Sequence, residues 1–446
     1  MAAARGTTRV DSRSGLRVNC GFSEEEMSVH GKAYSRAKGR ICTGPFFVLL
    51  FLSLVGLFFI VVRFAKGIGA VSNLSDGYPW GIWVAYDVAI GTAIACGGYA
   101  VAVLIYIRNR WQYHPLIKSA ILTSLFGSFL AACSVVVDIG RPWNAYGFFV
   151  PTRWQPTSAM FELGLGIIAY CLAQGIEFLP SLESVPDCHR SRLLRRVAFL
   201  AQLPAIPGCA SLSGSAAGSA RPAGSPFPSR LNRTLICIVV LGIVLPTMHQ
   251  SALGSLMLIA STKLHPLWHT AFLPLLFLIN CIYLGYAMVI LESIISSLVL
   301  ERAYESDELA GLAHLIPWLT FAWLAIRVGD LVQREQIPAV FHGDFYSGFF
   351  LVELFLMAFG SLPLFSREQR RSPRWLFISA AMMLLGGGLY RFNVYLIGFN
   401  PGSGWHYFPS FAEVMISVGI VALEVLAYQL LIKLLPALPN PPQAMP

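Results

Sequence analysis

His249, Gln250 and Ser251 stand side by side in LPTMHQSALGSLMLIA (245–260), a stretch that is otherwise almost wholly apolar. Ionisable groups at the centre of a membrane helix cost about 2.5–3.5 kcal/mol each on insertion scales, so those present need a partner or a task. An imidazole titrates near neutrality and can also donate a hydrogen bond to a carbonyl. A hydrophobic carrier that changes protonation when it changes redox state would use such a ring, with carboxylates nearby to move protons. A quinone fits that description.

Asp87, Glu162, Glu353 and Arg391 also lie in apolar runs, with no partner evident in their own segment. They join His249 as candidates for quinone binding or proton transfer, with Arg391 expected to hold one of the carboxylates charged. Asp138 and Arg141 are three residues apart, as are Arg327 and Asp330. Spacing of that kind permits neutralisation along one helix face. Asp138 and Arg141 are kept in the candidate set, with plain anchoring as the competing role. A second group, Lys118, Glu177, Glu292, His314 and Glu424, falls towards the other ends of the runs.

A transmembrane b-type haem commonly takes two histidines at matching depth. His249 and His269 fall near one side and His314 near the other; one haem ligated by His249 and His269 is conceivable, but none is expected in this chain. The nine cysteines, Cys20, Cys42, Cys96, Cys133, Cys171, Cys188, Cys209, Cys237 and Cys281, include no C-x-x-C pair. Iron–sulfur and zinc sites need clustered thiolates, so no cluster or metal is expected either. The cysteines read as small buried apolar residues.

The elements that position these groups follow from composition. The chain has 446 residues, 56% hydrophobic and 12% charged, with a mean hydropathy of +0.63. A soluble domain carries about 25% charged residues. This is therefore an all-α polytopic membrane protein, because helices satisfy their own backbone in lipid. Ten runs, at about 45–65, 81–107, 115–138, 157–179, 234–260, 268–298, 310–331, 347–366, 374–398 and 410–434, approach or exceed the roughly 20 residues a span needs. Lys and Arg concentrate before residue 45 and in alternate loops, as at Arg108, Arg110, Arg195, Arg196, Arg370 and Arg371. The positive-inside rule then places both termini in the cytoplasm. The net charge of +9 is mostly this asymmetry and calls for no nucleic-acid partner.

Residues 1–44 read as a polar cytoplasmic tail with no cleaved signal peptide, 45–434 as the membrane domain, and 435–446 as a short cytoplasmic tail. Within the domain, GCASLSGSAAGSARPAGSPFP (208–228) has the composition of a flexible linker. The preceding SRLLRRVAFLAQL (191–203) could form a basic amphipathic helix on the membrane surface. The small residues of TAIACGGYA (92–100) and FELGLG (161–166) would let helices approach closely.

Four stretches carry a family resemblance: YPWGIWVAYDVAIG (78–91), VVDIGRPWNAYGFF (136–149), HQSALGSLMLIASTKLHPLWHT (249–270) and RFNVYLIGFNPGSGWHYFPSFAEV (391–414). In this order they resemble the HybB-type membrane subunit of uptake NiFe hydrogenases, within the wider NrfD/PsrC family, over about residues 40–440. The resemblance implies two four-helix bundles with added helices and a quinone site near the periplasmic face. It implies no haem of the chain's own. It also implies electrons delivered by a periplasmic ferredoxin-like iron–sulfur subunit from the large and small subunits of a NiFe hydrogenase, in anaerobic respiration at the bacterial inner membrane.

The chain therefore reads as a quinone-reactive subunit, without the catalytic centre, that passes electrons between an iron–sulfur partner and menaquinone or ubiquinone. One alternative is the membrane subunit of another molybdenum or sulfur-cycle oxidoreductase of the same family. A different class, a secondary transporter, would place its polar groups near the midplane on broken, repeated helices. A structural anchor would have no use for so many polar groups near the helix ends.

Overall fold

A computed structural model describes residues 34–35, 43–107, 113–183, 233–299, 306–434 and 438–439. The expected linker 208–228, the surface helix 191–203 and most of the tail before residue 44 lie outside the described residues. Within them the chain is all-α, apart from a two-residue antiparallel pairing of Tyr34–Ser35 with Leu438–Pro439.

Among the described residues, ten helices correspond to the ten apolar runs. They are α1 (Gly44–Lys66), α2 (Trp83–Ile105), α3 (His114–Asp138), α4 (Ala159–Glu183), α5 (Arg233–Ile259), α6 (Leu273–Val299), α7 (Ser306–Gln333), α8 (Phe345–Phe365), α9 (Pro373–Ile397) and α10 (Phe411–Leu434). Nine are long and apolar enough to cross a membrane, and the described apolar part of α4, Ala159–Gly175, is shorter. Mean hydropathy explains why they are helices but not how they pack, and the packing separates them. Helices α2–α5 touch in chain order around one bundle, and α9 packs on α6 and α8 in a second. α6 also packs on α2 and α5 and joins the two bundles, while α1 and α10 pair with each other beside them.

Small residues set the closest approaches, as the sequence suggests. A Cβ on Gly56 of α1 would lie 2.7 Å from the Cα of Gly419 on α10. A Cβ on Gly285 of α6 would lie 3.0 Å from the backbone of Cys96 on α2. Backbones this close gain dispersion contacts, the main source of helix association where lipid removes the hydrophobic drive.

Two helices are irregular where they carry polar side chains. α2 begins as a π-helix (Trp83–Val88), continues through short α-helical pieces and ends in a second π turn (Val103–Ile107). α9 ends in a π turn (Asn393–Ile397) directly after Arg391. Such insertions re-aim side chains and recur at functional sites. In α5, Pro246 removes one backbone donor three residues before His249.

The loops that join α1 to α2, α5 to α6 and α9 to α10 interlock over one end of the bundles. Tyr78 donates to the Phe399 carbonyl (3.2 Å), His265 N–H to the Gly398 carbonyl (2.7 Å) and Asn400 N–H to the Lys263 carbonyl (2.7 Å). Glu413, fully buried, accepts from Tyr407 and from the backbone amides of Asn73 and Ser410. This end is the capped face. The opposite end, where α1 starts and α10 finishes, is the terminal face.

Candidate functional site

Arg391 is fully buried on α9 and is the hub of a saturated network. Its Nε donates to Asn280 Oδ1 (2.5 Å), Nη1 to Gln250 Oε1 (2.7 Å) and the Ala89 carbonyl (2.8 Å), and Nη2 to the Phe277 carbonyl (2.6 Å). The guanidinium also lies 4.6 Å from the Phe277 ring centroid. Gln250 in turn donates to Thr92 Oγ1 (3.0 Å), and Thr92 to the Val88 carbonyl (2.6 Å). One cation thereby ties α2, α5, α6 and α9 together across both bundles. The expectation that Arg391 holds a carboxylate charged is not met, because all its acceptors are amide or backbone oxygens. Carbonyl dipoles around a delocalised guanidinium make a tolerable buried site for a charge without an anion.

Asp87 lies in the first π turn of α2, 6% exposed. Its Oδ2 accepts from Ser134 of α3 (3.1 Å) and Ser417 of α10 (3.0 Å), while Oδ1 has no partner. The same side chain borders a cavity of about 580 Å³ between α2, α3, α6 and α10.

His249 is 3% exposed, and neither ring nitrogen makes a hydrogen bond. The backbone of Leu163 on α4 lies close to the ring. Gly166 on α4 opens the space beside the ring, since a Cβ there would lie 3.7 Å from it. The adjoining cavity, bordered by Thr92, Ser128, Tyr170 and Pro246, leaves about 10 Å³ in which the centre of a water can move. That is room for about one molecule. Ser128 Oγ of α3 borders the same cavity and has no partner among the described residues.

Glu353 on α8 is fully buried and accepts from Trp268 Nε1 (3.0 Å) and Asn393 Nδ2 (2.6 Å), leaving Oε1 without a partner. Arg327 on α7 donates to the Leu267 carbonyl (2.5 Å) and lies over the rings of Phe350 and Tyr390. Its Nε and Nη1 are unpartnered.

The two i,i+3 pairs do not form. Asp330 binds Arg334 one turn on (2.6 Å), not Arg327. Arg141 is exposed, and Asp138 keeps a buried, unpartnered Oδ1 near Arg63 of α1, whose own bonds go to the Val137 and Ile139 carbonyls. Glu162 is exposed at the start of α4. The candidates thus separate into His249 on one side of the Arg391 network, Asp87 with Asp138 on the other, Glu353 across the second bundle, and Glu162 and Arg141 outside. Sequence reading missed Thr92, Asn280, Ser134 and Ser417. They are uncharged polar residues in apolar runs, a signal set aside when only ionisable groups are weighed.

Comparison with known proteins gives this arrangement a family. Residues 70–400 match the family model described as "Polysulphide reductase, NrfD". The chain is 37% identical over 405 residues to the "Probable Ni/Fe-hydrogenase 2 b-type cytochrome subunit" of Escherichia coli K12, covering 90% of this chain and 94% of that protein. It is 24% identical over 408 residues to the "Menaquinone reductase, integral membrane subunit" of Nitratidesulfovibrio vulgaris, covering 84% and 87%. A further protein of that organism is 30% identical over 415 residues, covering 90% and 94%.

One expectation is corrected by these relatives. The sequence reading expects no haem in this chain, whereas the 37% identical relative is named a b-type cytochrome subunit, which indicates haem. The expectation rests on requiring two histidines at one depth. That is narrower than the chemistry, since haem iron also accepts Met, Cys or Tyr. His249, with two free ring nitrogens, has the character of one axial ligand. Among the described residues no second histidine faces it from within a span, and the space beside it holds about one water. The fit is incomplete, and no step below runs through a haem. With residues 70–400 under one family model and its motifs woven into the capped face, the chain belongs to the polysulphide reductase NrfD family.

Proposed function

We propose that this chain is the quinone-reactive membrane subunit of a respiratory complex of the NiFe-hydrogenase type. Electrons arrive at the capped face from a ferredoxin-like iron–sulfur subunit and leave on menaquinone or ubiquinone. The capped face is periplasmic and both chain ends are cytoplasmic, as the loop charges indicate. The match to a hydrogenase 2 subunit over 90% of the chain carries this reading. The menaquinone reductase relative supports the choice of substrate.

His249 is the hydrogen-bonding group for the head group, and Asp87 a proton donor to the reduced ring, with Glu353, Asp138, Glu162, Arg141 and Arg391 as the remaining proton-transfer and anchoring candidates. A quinone ring reaches His249 only if α4 moves away from α5, because the resting space holds about one water. Gly166 and Pro246, a residue without side-chain bulk and a missing backbone bond, make that the compliant part of the bundle. Two electrons from the partner and a proton at each carbonyl oxygen complete the reduction to quinol.

The test is quinone reduction by the complex purified with its native partners, beside reduction of a soluble dye by the partner enzyme. His249→Ala removes a hydrogen bond of about 0.5–1.5 kcal/mol and should weaken quinone binding up to about tenfold. Dye reduction should be unchanged. Unaltered quinone turnover in both His249→Ala and Asp87→Asn, with normal assembly, contradicts the site.

A further inference from the structure

Beside the Arg391 network, and separate from it, runs a seam between α3 and α10. Buried or half-buried carboxyls from four different helices meet along it. At the capped face Asp138 of α3 lies by Glu413 of α10. One turn further in, Ser134 and Ser417 both donate to Asp87 of α2. Ser417 and Glu424 are seven residues apart on α10, about 10 Å at 1.5 Å per residue. Glu424 turns its carboxyl towards α3, where a Cβ on Gly127 would lie 3.2 Å from Oε1. One more turn along α10, Tyr428 donates to Glu292 of α6, which also accepts from Thr123 of α3 (2.7 Å).

Chance placement of acids is a poor explanation. Each carboxyl costs insertion energy, and they come from helices far apart in the chain yet converge on one seam. The seam is also open. The cavity of about 580 Å³ is bordered by Asp87, Glu424, Glu292 and Tyr428 and reaches Thr43 and Lys433 at the terminal face. Asp87, 6% exposed, borders it with an unpartnered Oδ1, a buried acceptor that water would satisfy. The residues bordering this cavity stop at Asp87 and do not include Asp138 or Glu413. Glu413 is itself held by three hydrogen bonds.

The geometry points to a proton-conducting path from the terminal face to Asp87, through Glu292–Tyr428 and Glu424. It rests on the quinone reading, because quinone reduction is what consumes the protons. The iron–sulfur partner supplies both electrons and the path supplies a proton to each carbonyl oxygen, so no further reactant is needed. Electrons entering from the capped face and protons from the opposite face make the reaction electrogenic.

The experiment uses the complex with its native partners, reconstituted in sealed liposomes with a pH dye in the compartment bordering the terminal face. During turnover with a short-chain menaquinone, that compartment should lose protons in step with quinone reduced. Glu424→Gln should slow both signals at least tenfold, within the range of about 10²–10⁴ for lost proton-transfer groups, and Glu424→Asp should restore part of each. A pH jump in the same compartment, without quinone, provides a second drive, read by the infrared carbonyl band of the Asp87 carboxyl. Proton exchange with Asp87 should again be at least tenfold faster in wild type than in Glu424→Gln.

Normal quinone turnover with equal proton movement in wild type and Glu424→Gln overturns the path and leaves the quinone reading standing. Faster protonation of Asp87 in wild type after the pH jump, with no quinone turnover, does the reverse. Proton loss confined to the capped-face compartment also overturns the path.

Discussion

The Arg391 network and the Asp87 seam are both buried, polar and built from side chains of several helices, and they differ in one respect. Every nitrogen of the Arg391 guanidinium has an acceptor, and its neighbours Gln250, Thr92 and Asn280 are bonded onwards. Asp87 and Asp138 each retain a buried oxygen with nothing to bind. A satisfied network in low dielectric is rigid and specifies one packing. An unsatisfied one keeps a residual demand that a water, a proton donor or a ligand meets. Arg391 holds four helices together through protein acceptors alone, whereas Asp87 keeps one oxygen for a further partner. His249, with two unpartnered nitrogens, falls with Asp87.

The largest effect should come from breaking the saturated region. Arg391→Leu leaves the Gln250 and Asn280 amides and the Ala89 and Phe277 carbonyls without their donor. Each buried acceptor left unsatisfied costs about 1–3 kcal/mol. The variant should fail to accumulate in the membrane, or should lose its native fluorescence-detected gel-filtration peak.

Asp87→Asn should behave in the opposite way. The amide oxygen can still accept from Ser134 and Ser417, so the protein should assemble and keep its thermal midpoint within about 1 °C, an effect of no more than about 1 kcal/mol. Quinone turnover should fall by about 10²-fold or more. A loss of stability comparable to Arg391→Leu would erase the contrast between the two regions.

Glu353 sharpens the contrast, because it is half of each kind: Oε2 is doubly bonded and Oε1 is unpartnered. Glu353→Gln should keep the Trp268 and Asn393 bonds, and differential scanning fluorimetry should show a smaller loss than for Arg391→Leu. A fall in quinone turnover without loss of the fold would place Glu353 with Asp87.

The smallest effect lies outside the membrane. Asp344 caps α8 by accepting from Ser347 N–H (2.7 Å), and these Ser347 bonds hold its carboxyl below the usual carboxylate range. A depressed carboxyl stabilises the fold above its ordinary pKa, and the contribution is lost as pH falls through the lowered value. Asp344→Asn should therefore lower the thermal midpoint slightly at pH 7, with the difference vanishing towards pH 3. A difference that grows on acidification would contradict the cap.

Much of this was legible in the chain. Apolar length alone places ten helices within a few residues, because lipid leaves the backbone no other option. The four motifs were legible as a family resemblance, and Tyr78, His265 and Phe399 within them form the interlocked cap. The π turns at Trp83–Val88 and Asn393–Ile397 were not legible, since no residue type enforces them. They flank the positions where α2 and α9 meet at the Ala89 carbonyl and Arg391. The partners of Arg391 were hidden for a related reason. An isolated arginine suggests a carboxylate, yet enough carbonyl and amide oxygens on three neighbouring helices serve equally well, and only the fold brings Ala89, Phe277, Asn280 and Gln250 together. The i,i+3 spacings misled because Asp138 is drawn towards Arg63 and Asp330 towards Arg334, partners that helix periodicity alone does not rank.

The most direct measurement is covalent mapping of the quinone. A menaquinone analogue with a photoreactive group on its ring, activated in the purified complex and located by peptide mass spectrometry, reports which helices the head group touches. A site at His249 predicts adducts on α4 and α5 around Gly166 and His249 and on α2 around Thr92, which borders the same cavity. These should be competed away by unlabelled menaquinone and be lost in His249→Ala. Adducts confined to other helices, or unchanged by His249→Ala and by competitor, would contradict it.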